Sequence, residues 1–182
     1  LEAPVERLDY VEMDPALLGL VSEHLPPELQ APLDRAEFRA YACDGRYFVR
    51  TVQQNPAELV RHACAPWTGE DVSATQPAVP YDMVVVNVGD PASASENRFY
   101  TEEFFGLVKQ ALAPDGILAV CGITGSDNYL RGDVLDYTAC IYRTLTEAFP
   151  RVVVQPGTEF RFFAGPADGP SVDPLLLARR FL

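Results

Sequence analysis

The sequence contains no apolar run near the ~20 residues that a membrane-spanning helix needs. Its longest runs, such as Met83–Val86 and Ile117–Cys121, are only a few residues long, so nothing in the chain is expected to span a bilayer. Histidine is scarce, with two in the whole sequence, and zinc sites draw on histidine and cysteine together. The spacing His62-x-Cys64 is the one pair that resembles a ligand set, and no metal is expected. Cys43, Cys64, Cys121 and Cys140 form no C-x-x-C pair. That argues against a disulfide framework and for reduced, buried thiols in a cytosolic setting. Basic residues are also short: 14 Lys and Arg stand against 26 Asp and Glu, a net charge of −12. A surface this acidic repels phosphate, which excludes duplex nucleic acid as a partner. It suits a small cationic ligand, although the same charge also serves solubility.

What is present is enough for a core. The chain has 182 residues, 48% of them hydrophobic, which fits one domain over residues 1–182. It opens on Leu1 with no signal-peptide pattern, and it is expected to be a segment of a longer protein.

The pattern along the chain alternates strand and helix. Arg7–Met13 reads as a strand, and Asp14-Pro15 caps a helix over Ala16–Leu25 with Leu17, Leu18, Val21 and Leu25 inward. Phe38–Cys43 is a second strand, followed by the Asp44-Gly45 turn and a short helix over Arg46–Gln53. From about Asn55 to Pro80 the chain reads as an irregular insertion with one helix around Ala57–Ala63. Tyr81–Val88 has a continuous valine run, which predicts a central parallel strand buried on both faces. Thr101 caps a helix running to about Leu112, and Pro114-Asp115-Gly116 turns into the strand Ile117–Cys121. A polar loop over Gly122–Gly132 leads to a helix over Asp133–Phe149 with Leu135, Ile141, Leu145 and Phe149 inward. Arg151–Gln155 and Phe160–Ala164, joined at Pro156-Gly157, predict an antiparallel hairpin, and Pro174–Phe181 a last helix. The fold class is therefore α/β: an open, mostly parallel sheet with helices on both faces and a C-terminal antiparallel hairpin. Such a closing hairpin suits the sheet of S-adenosylmethionine-using enzymes.

In these sheets ligands bind beyond the carboxyl ends of the strands, and three loops there carry carboxylates. Glu12, ending the first strand, can accept hydrogen bonds from both ribose hydroxyls of a nucleoside; a solvated strand end is the plain alternative. Asp44 beside Gly45 can meet the exocyclic amine of adenine, or simply cap the helix after it. Asp90, in the turn after the most apolar strand, can hold a cationic amine by a charge-assisted hydrogen bond, or serve as a cap.

Taken together, these loops resemble the spermidine synthase family of polyamine aminopropyltransferases. The resemblance is carried by VEMDP at Val11–Pro15, CDGRYF at Cys43–Phe48, YDMVVVNVGDP at Tyr81–Pro91 and the stretch from Asn97 to Val120. It extends from Val5 to Gly165 except for Asn55–Pro80. The chain is most similar to the branch attached to membrane-embedded segments, through NRFYT at Asn97–Thr101, SDNYL at Ser126–Leu130, YRTL at Tyr142–Leu145 and FPRVVVQPG at Phe149–Gly157. The resemblance implies a cytoplasmic domain whose membrane attachment lies outside this chain. It also implies that Glu12 binds the ribose of decarboxylated S-adenosylmethionine, that Asp44 and Gly45 bind its adenine, and that Asp90 helps bind the amine acceptor. No metal is implied.

Two departures follow from the same resemblance. The catalytic aspartate of the family falls on Asn87, and a carboxamide accepts no proton at neutral pH. Aminopropyl transfer is then weakened or lost unless Asp90 substitutes. The family's first strand and glycine-rich loop fall before Leu1. The Arg7–Met13 and Tyr81–Val88 strands are therefore expected to pair directly, or two chains to associate as a homodimer over the open edges. Three other readings stay open: an S-adenosylmethionine-dependent methyltransferase, a non-catalytic nucleoside- or polyamine-sensing domain, and a dinucleotide-dependent dehydrogenase.

Overall fold

The computed structural model describes residues 5–31, 33–35, 37–62, 80–126 and 131–181. The chain divides into two compact units, Leu1–Val79 and Pro80–Leu182.

In the first unit, β1 (Leu8–Glu12) and β2 (Phe38–Ala42) pair in parallel, from Leu8 opposite Phe38 to Glu12 opposite Ala42. The crossover between them holds α1 (Pro15–His24) and the short α2 (Pro27–Gln30). Asp14 accepts from Ala16 N–H at 2.9 Å, with proline at the first turn of α1, so the expected cap and start are both present. Leu18, Phe38 and Ala40 form a small core with Val21, Leu33 and Ala42 packed on it. Leu17, expected inward, is exposed. After β2, α3 (Gly45–Gln54) buries Phe48, Thr51 and Val52, and the Phe48 ring packs on Tyr41 at 5.0 Å between centroids. A 3-10 helix, Pro56–His62, follows, where the sequence suggests a helix near Ala57–Ala63. Residues 63–79 of the expected insertion, Cys64 among them, lie outside the described residues.

The second unit holds a four-stranded sheet in the order β3-β4-β6-β5, built from β3 (Tyr81–Val86), β4 (Leu112–Thr124), β5 (Arg151–Gln155) and β6 (Glu159–Gly165). β3 runs parallel to β4, while β4–β6 and β6–β5 are antiparallel. The predicted C-terminal hairpin is present. Val86, Leu118, Val120, Phe162 and Ala164 are buried. α5 (Glu102–Ala111) packs on β4, α6 (Gly132–Ala148) on β5, and the two helices on each other. Thr101 caps α5 by accepting from Phe104 N–H, and Phe104, Phe105 and Val108 are buried. A short α4 (Ala94–Asn97), which the sequence reading does not anticipate, precedes it, and α7 (Pro174–Phe181) closes the unit.

Several expectations change. Among the described residues β3 is the end strand of its sheet, and Met83 and Val85 are 53% and 58% exposed. A valine run records a strand's preference for a pleated, half-buried place; it cannot record how many neighbours that strand has. β1 pairs with β2 within the first unit, and β3 with β4 within the second. β4 starts five residues before Ile117. Tyr81 pairs with Leu112 and Met83 with Ile117, so the Pro114-Asp115-Gly116 turn is taken up as a bulge inside the strand. Leu135 is 44% exposed rather than inward. Of the described cysteines, Cys43 is buried, Cys121 half-buried and Cys140 exposed on α6, and none of the three is in a disulfide. Part of the expected Gly122–Gly132 loop, residues 127–130, lies outside the described residues, and the strand reaches Thr124 before it.

Candidate functional site

Glu12 is the last residue of β1, and Asp44 stands two residues beyond the end of β2. The parallel pairing puts both at the carboxyl edge of the first unit's ladder. One Glu12 oxygen accepts from Asp14 N–H at 2.9 Å, which holds the carboxylate at the strand end and leaves its other oxygen for a further donor. Asp44 is the N-cap of α3, accepting from Tyr47 N–H at 3.0 Å. Gly45 opens that helix beside it. Capping and ligand binding are compatible here, because a carboxylate has more lone pairs than one backbone amide uses.

In the second unit, Asn87 follows directly on β3, and Gly89, at φ +80, turns the chain so that Asp90 comes off the strand end. Only glycine adopts that backbone without strain. Two groups hold the turn. Thr124 N–H, at the end of β4, donates to Asp90 Oδ1 at 2.7 Å. The Tyr100 hydroxyl donates to the Gly89 carbonyl. The Tyr137 hydroxyl, from α6, donates to the Thr124 carbonyl at 3.3 Å, beside the Asp90 charge.

These contacts set the electrostatics. Burial pushes the Tyr100 phenol well above its usual range, and the Asp90 and Glu96 charges push it further. Burial also raises Tyr137, and the charge of Asp90 adds to the effect. Both phenols therefore stay protonated at neutral pH, Tyr100 donating to the turn's Gly89 carbonyl and Tyr137 to the Thr124 carbonyl.

A further carboxylate approaches from the hairpin. Glu159 Oε1 accepts from Gly122 N–H at 2.6 Å, and Oε2 lies 3.0 Å from Arg161. Gly122 has φ +75, and a Cβ there would collide with Asn87 Oδ1. Asn87 and Glu159 therefore meet the same residue. Sequence reasoning singles out Asn87 and Asp90 but misses Tyr100, Gly122, Thr124, Tyr137 and Glu159. Tyr100 lies within the quoted NRFYT segment; the others carry no local signal. Among the described residues no group of three or more His, Cys, Asp or Glu side chains is arranged to hold a metal, and no helix is long and apolar enough to cross a membrane.

Residues 2–122 match the Spermine/spermidine synthase domain. Polyamine aminopropyltransferase 2 of Streptomyces coelicolor is 32% identical over 116 residues, covering 64% of this chain and 17% of that protein. The chain thus spans a small part of that relative. Among solved structures, a spermidine synthase in complex with the transition-state analogue AdoDATO superposes with a TM-score of 0.62 at 18% identity, covering 94% of this chain and 49% of that one. Human methyltransferase-like protein 13 in complex with SAH also gives 0.62 at 18% identity, covering 96% and 68%. At that identity both establish the fold alone, an S-adenosylmethionine-dependent transferase architecture that aminopropyltransferases and methyltransferases share. The family match covers well over half of the sequence, and the chain belongs to the spermine/spermidine synthase domain family.

Proposed function

We propose that this chain forms part of a domain that binds a sulfonium nucleoside and a small cationic amine and is built for aminopropyl transfer between them. The donor is decarboxylated S-adenosylmethionine. Glu12 accepts from its ribose hydroxyls, and Asp44 with Gly45 meets its adenine. Asp90 holds the amine. In the reaction, the neutral amine nitrogen attacks the propyl carbon next to the sulfonium, the C–S bond breaks, and its electron pair neutralises the sulfur. The new ammonium carries one proton too many, so a base must take a proton. Asn87 cannot, which leaves Asp90 as the carboxylate at the strand end.

The observation that carries this reading is the fixed Asp90 carboxylate. It is positioned by a backbone amide at the end of β4, with an uncharged carboxamide three residues before it. A carboxylate held this way is preorganised for a positive charge. In this proposal the domain is cytoplasmic, with any membrane attachment outside the chain.

The carboxamide at position 87 favours a second reading, in which the domain binds its ligands without turning them over. Calorimetry separates the two when decarboxylated S-adenosylmethionine, S-adenosylmethionine and 1,4-diaminobutane are titrated in turn, with product measured alongside. Binding with turnover supports the transferase, and binding without turnover the sensor. Turnover that appears only in Asn87→Asp identifies a lapsed enzyme. A chain that binds neither nucleoside nor diamine rejects both.

A further inference from the structure

The antiparallel register of β4 on β6 slips where Asn87 comes closest. Val120 pairs with Phe162, but Ile123 pairs with Phe160. Three steps along β4 therefore match two along β6, so β4 carries one extra residue, a bulge at Cys121–Gly122. Such bulges bend a strand, leave a backbone group outside the ladder, and gather next to active sites. Here the Gly122 amide is satisfied by Glu159 Oε1 at 2.6 Å, a charge-assisted hydrogen bond. Arg161 holds the second carboxylate oxygen at 3.0 Å, so both ends of the carboxylate are fixed.

Gly122 in turn bounds Asn87, whose Oδ1 occupies the space a Cβ at Gly122 would need. Thr124, the ladder partner of Glu159, gives its amide to Asp90. One short segment of β4 thus connects the Glu159 carboxylate to both residues of the strand-end turn.

We propose that Glu159 is a positioning residue for Asn87: by holding the Gly122 amide it fixes the bulged backbone against which the carboxamide rests, and so sets where that carboxamide meets the acceptor amine. The consequence for amine binding rests on the reading of Asn87 and Asp90 given above; the positioning itself does not. The competing account makes Glu159 one half of a surface ion pair with Arg161. Their side chains are 39% and 44% exposed, and ion pairs of that kind contribute little.

The test is NMR on the isotope-labelled chain, read at the Gly122 amide and the Asn87 side-chain NH2, together with calorimetry using 1,4-diaminobutane. Glu159→Ala removes the acceptor. It should move both sets of resonances and weaken diamine binding by about tenfold, the scale of one lost hydrogen bond to a charged group. Glu159→Gln keeps an acceptor oxygen without the charge and should give smaller changes in the same direction. Arg161→Ala breaks only the ion pair and should leave the Asn87 resonances in place. Unmoved Asn87 resonances in Glu159→Ala overturn the proposal. If those resonances move but the parent chain binds no diamine, the positioning stands and the amine-binding reading falls.

Discussion

The side chain of Asn87 fills the space that a side chain on Gly122 would need, so each residue restricts the other. Gly122 also sits at φ +75, a backbone that costs a non-glycine residue roughly 1–2 kcal/mol. Gly122→Ala should therefore destabilise the second unit by about 1–2 kcal/mol from the backbone, plus a smaller amount for turning the Asn87 carboxamide aside. Asn87→Ala removes the carboxamide and with it the clash. In that background the same glycine substitution should cost only the backbone part. A double-mutant cycle by urea unfolding reads the difference directly; additive effects would show that the two residues do not share the space.

At Asp44 the two roles separate by substitution. Asp44→Ala removes the cap on α3 and should cost about 1 kcal/mol of stability, whereas Asp44→Asn keeps a capping oxygen and should cost little. If the carboxylate also meets adenine, Asp44→Asn should still weaken nucleoside binding about tenfold, the effect of losing one charged hydrogen bond. Thermal unfolding and calorimetry on the same two variants check both halves. Equal nucleoside affinity in Asp44→Asn and the parent would leave Asp44 a cap alone.

Much of this architecture is legible because it is local. Asp14-Pro15, Asp44 and Thr101 are caps with their partners two or three residues away, and the helices they start follow a 3.6-residue apolar period. The hairpin shows itself in two short β-rich runs around Pro156-Gly157. What the sequence conceals is non-local. The valine run of β3 looks like a centre strand, yet its place at the end of the sheet depends on which strands flank it. The turn residues Pro114-Asp115-Gly116 indicate a break, and nothing in them says that the strand resumes its ladder on both sides. The site divides the same way. Asn87 and Asp90 are marked by a glycine turn after an apolar strand. The Asp90 partner Thr124 lies 34 residues on, and Glu159 reaches Gly122 across 37. No periodicity spans such separations, so these partners emerge only when strands pair.

Tyr100 should make the second unit sensitive to alkali. Its folded pKa is raised, chiefly by burial, while in the unfolded chain the phenol titrates near 10. A raised folded value means that its stabilising contribution is complete below about pH 10 and declines as pH climbs toward the folded value. Tyr100→Phe should flatten that alkaline loss. It should also cost about 1–2 kcal/mol at neutral pH, because the Gly89 carbonyl loses its donor. Urea midpoints at pH 7 and in the alkaline range, for parent and variant, measure both effects. An alkaline loss of the same size in the variant would assign it to other groups.

Asp90→Asn tests the strand-end carboxylate without disturbing its shape. The carboxamide oxygen still accepts from Thr124 N–H, so the turn should hold and stability should change by less than about 1 kcal/mol. The charge, however, is gone. Tyr137 loses the part of its elevation that comes from Asp90, although the larger part due to burial remains. Its phenol should therefore titrate at lower pH in the variant, as followed by the ring resonances, and this result needs no ligand. If Asp90 also holds a cationic amine, affinity for 1,4-diaminobutane should fall about tenfold, since a half-buried charge partner has been replaced by a dipole. A shifted Tyr137 with unchanged diamine affinity would keep the geometry and reject the amine. An unshifted Tyr137 would show that the Asp90 charge does not reach the phenol in solution.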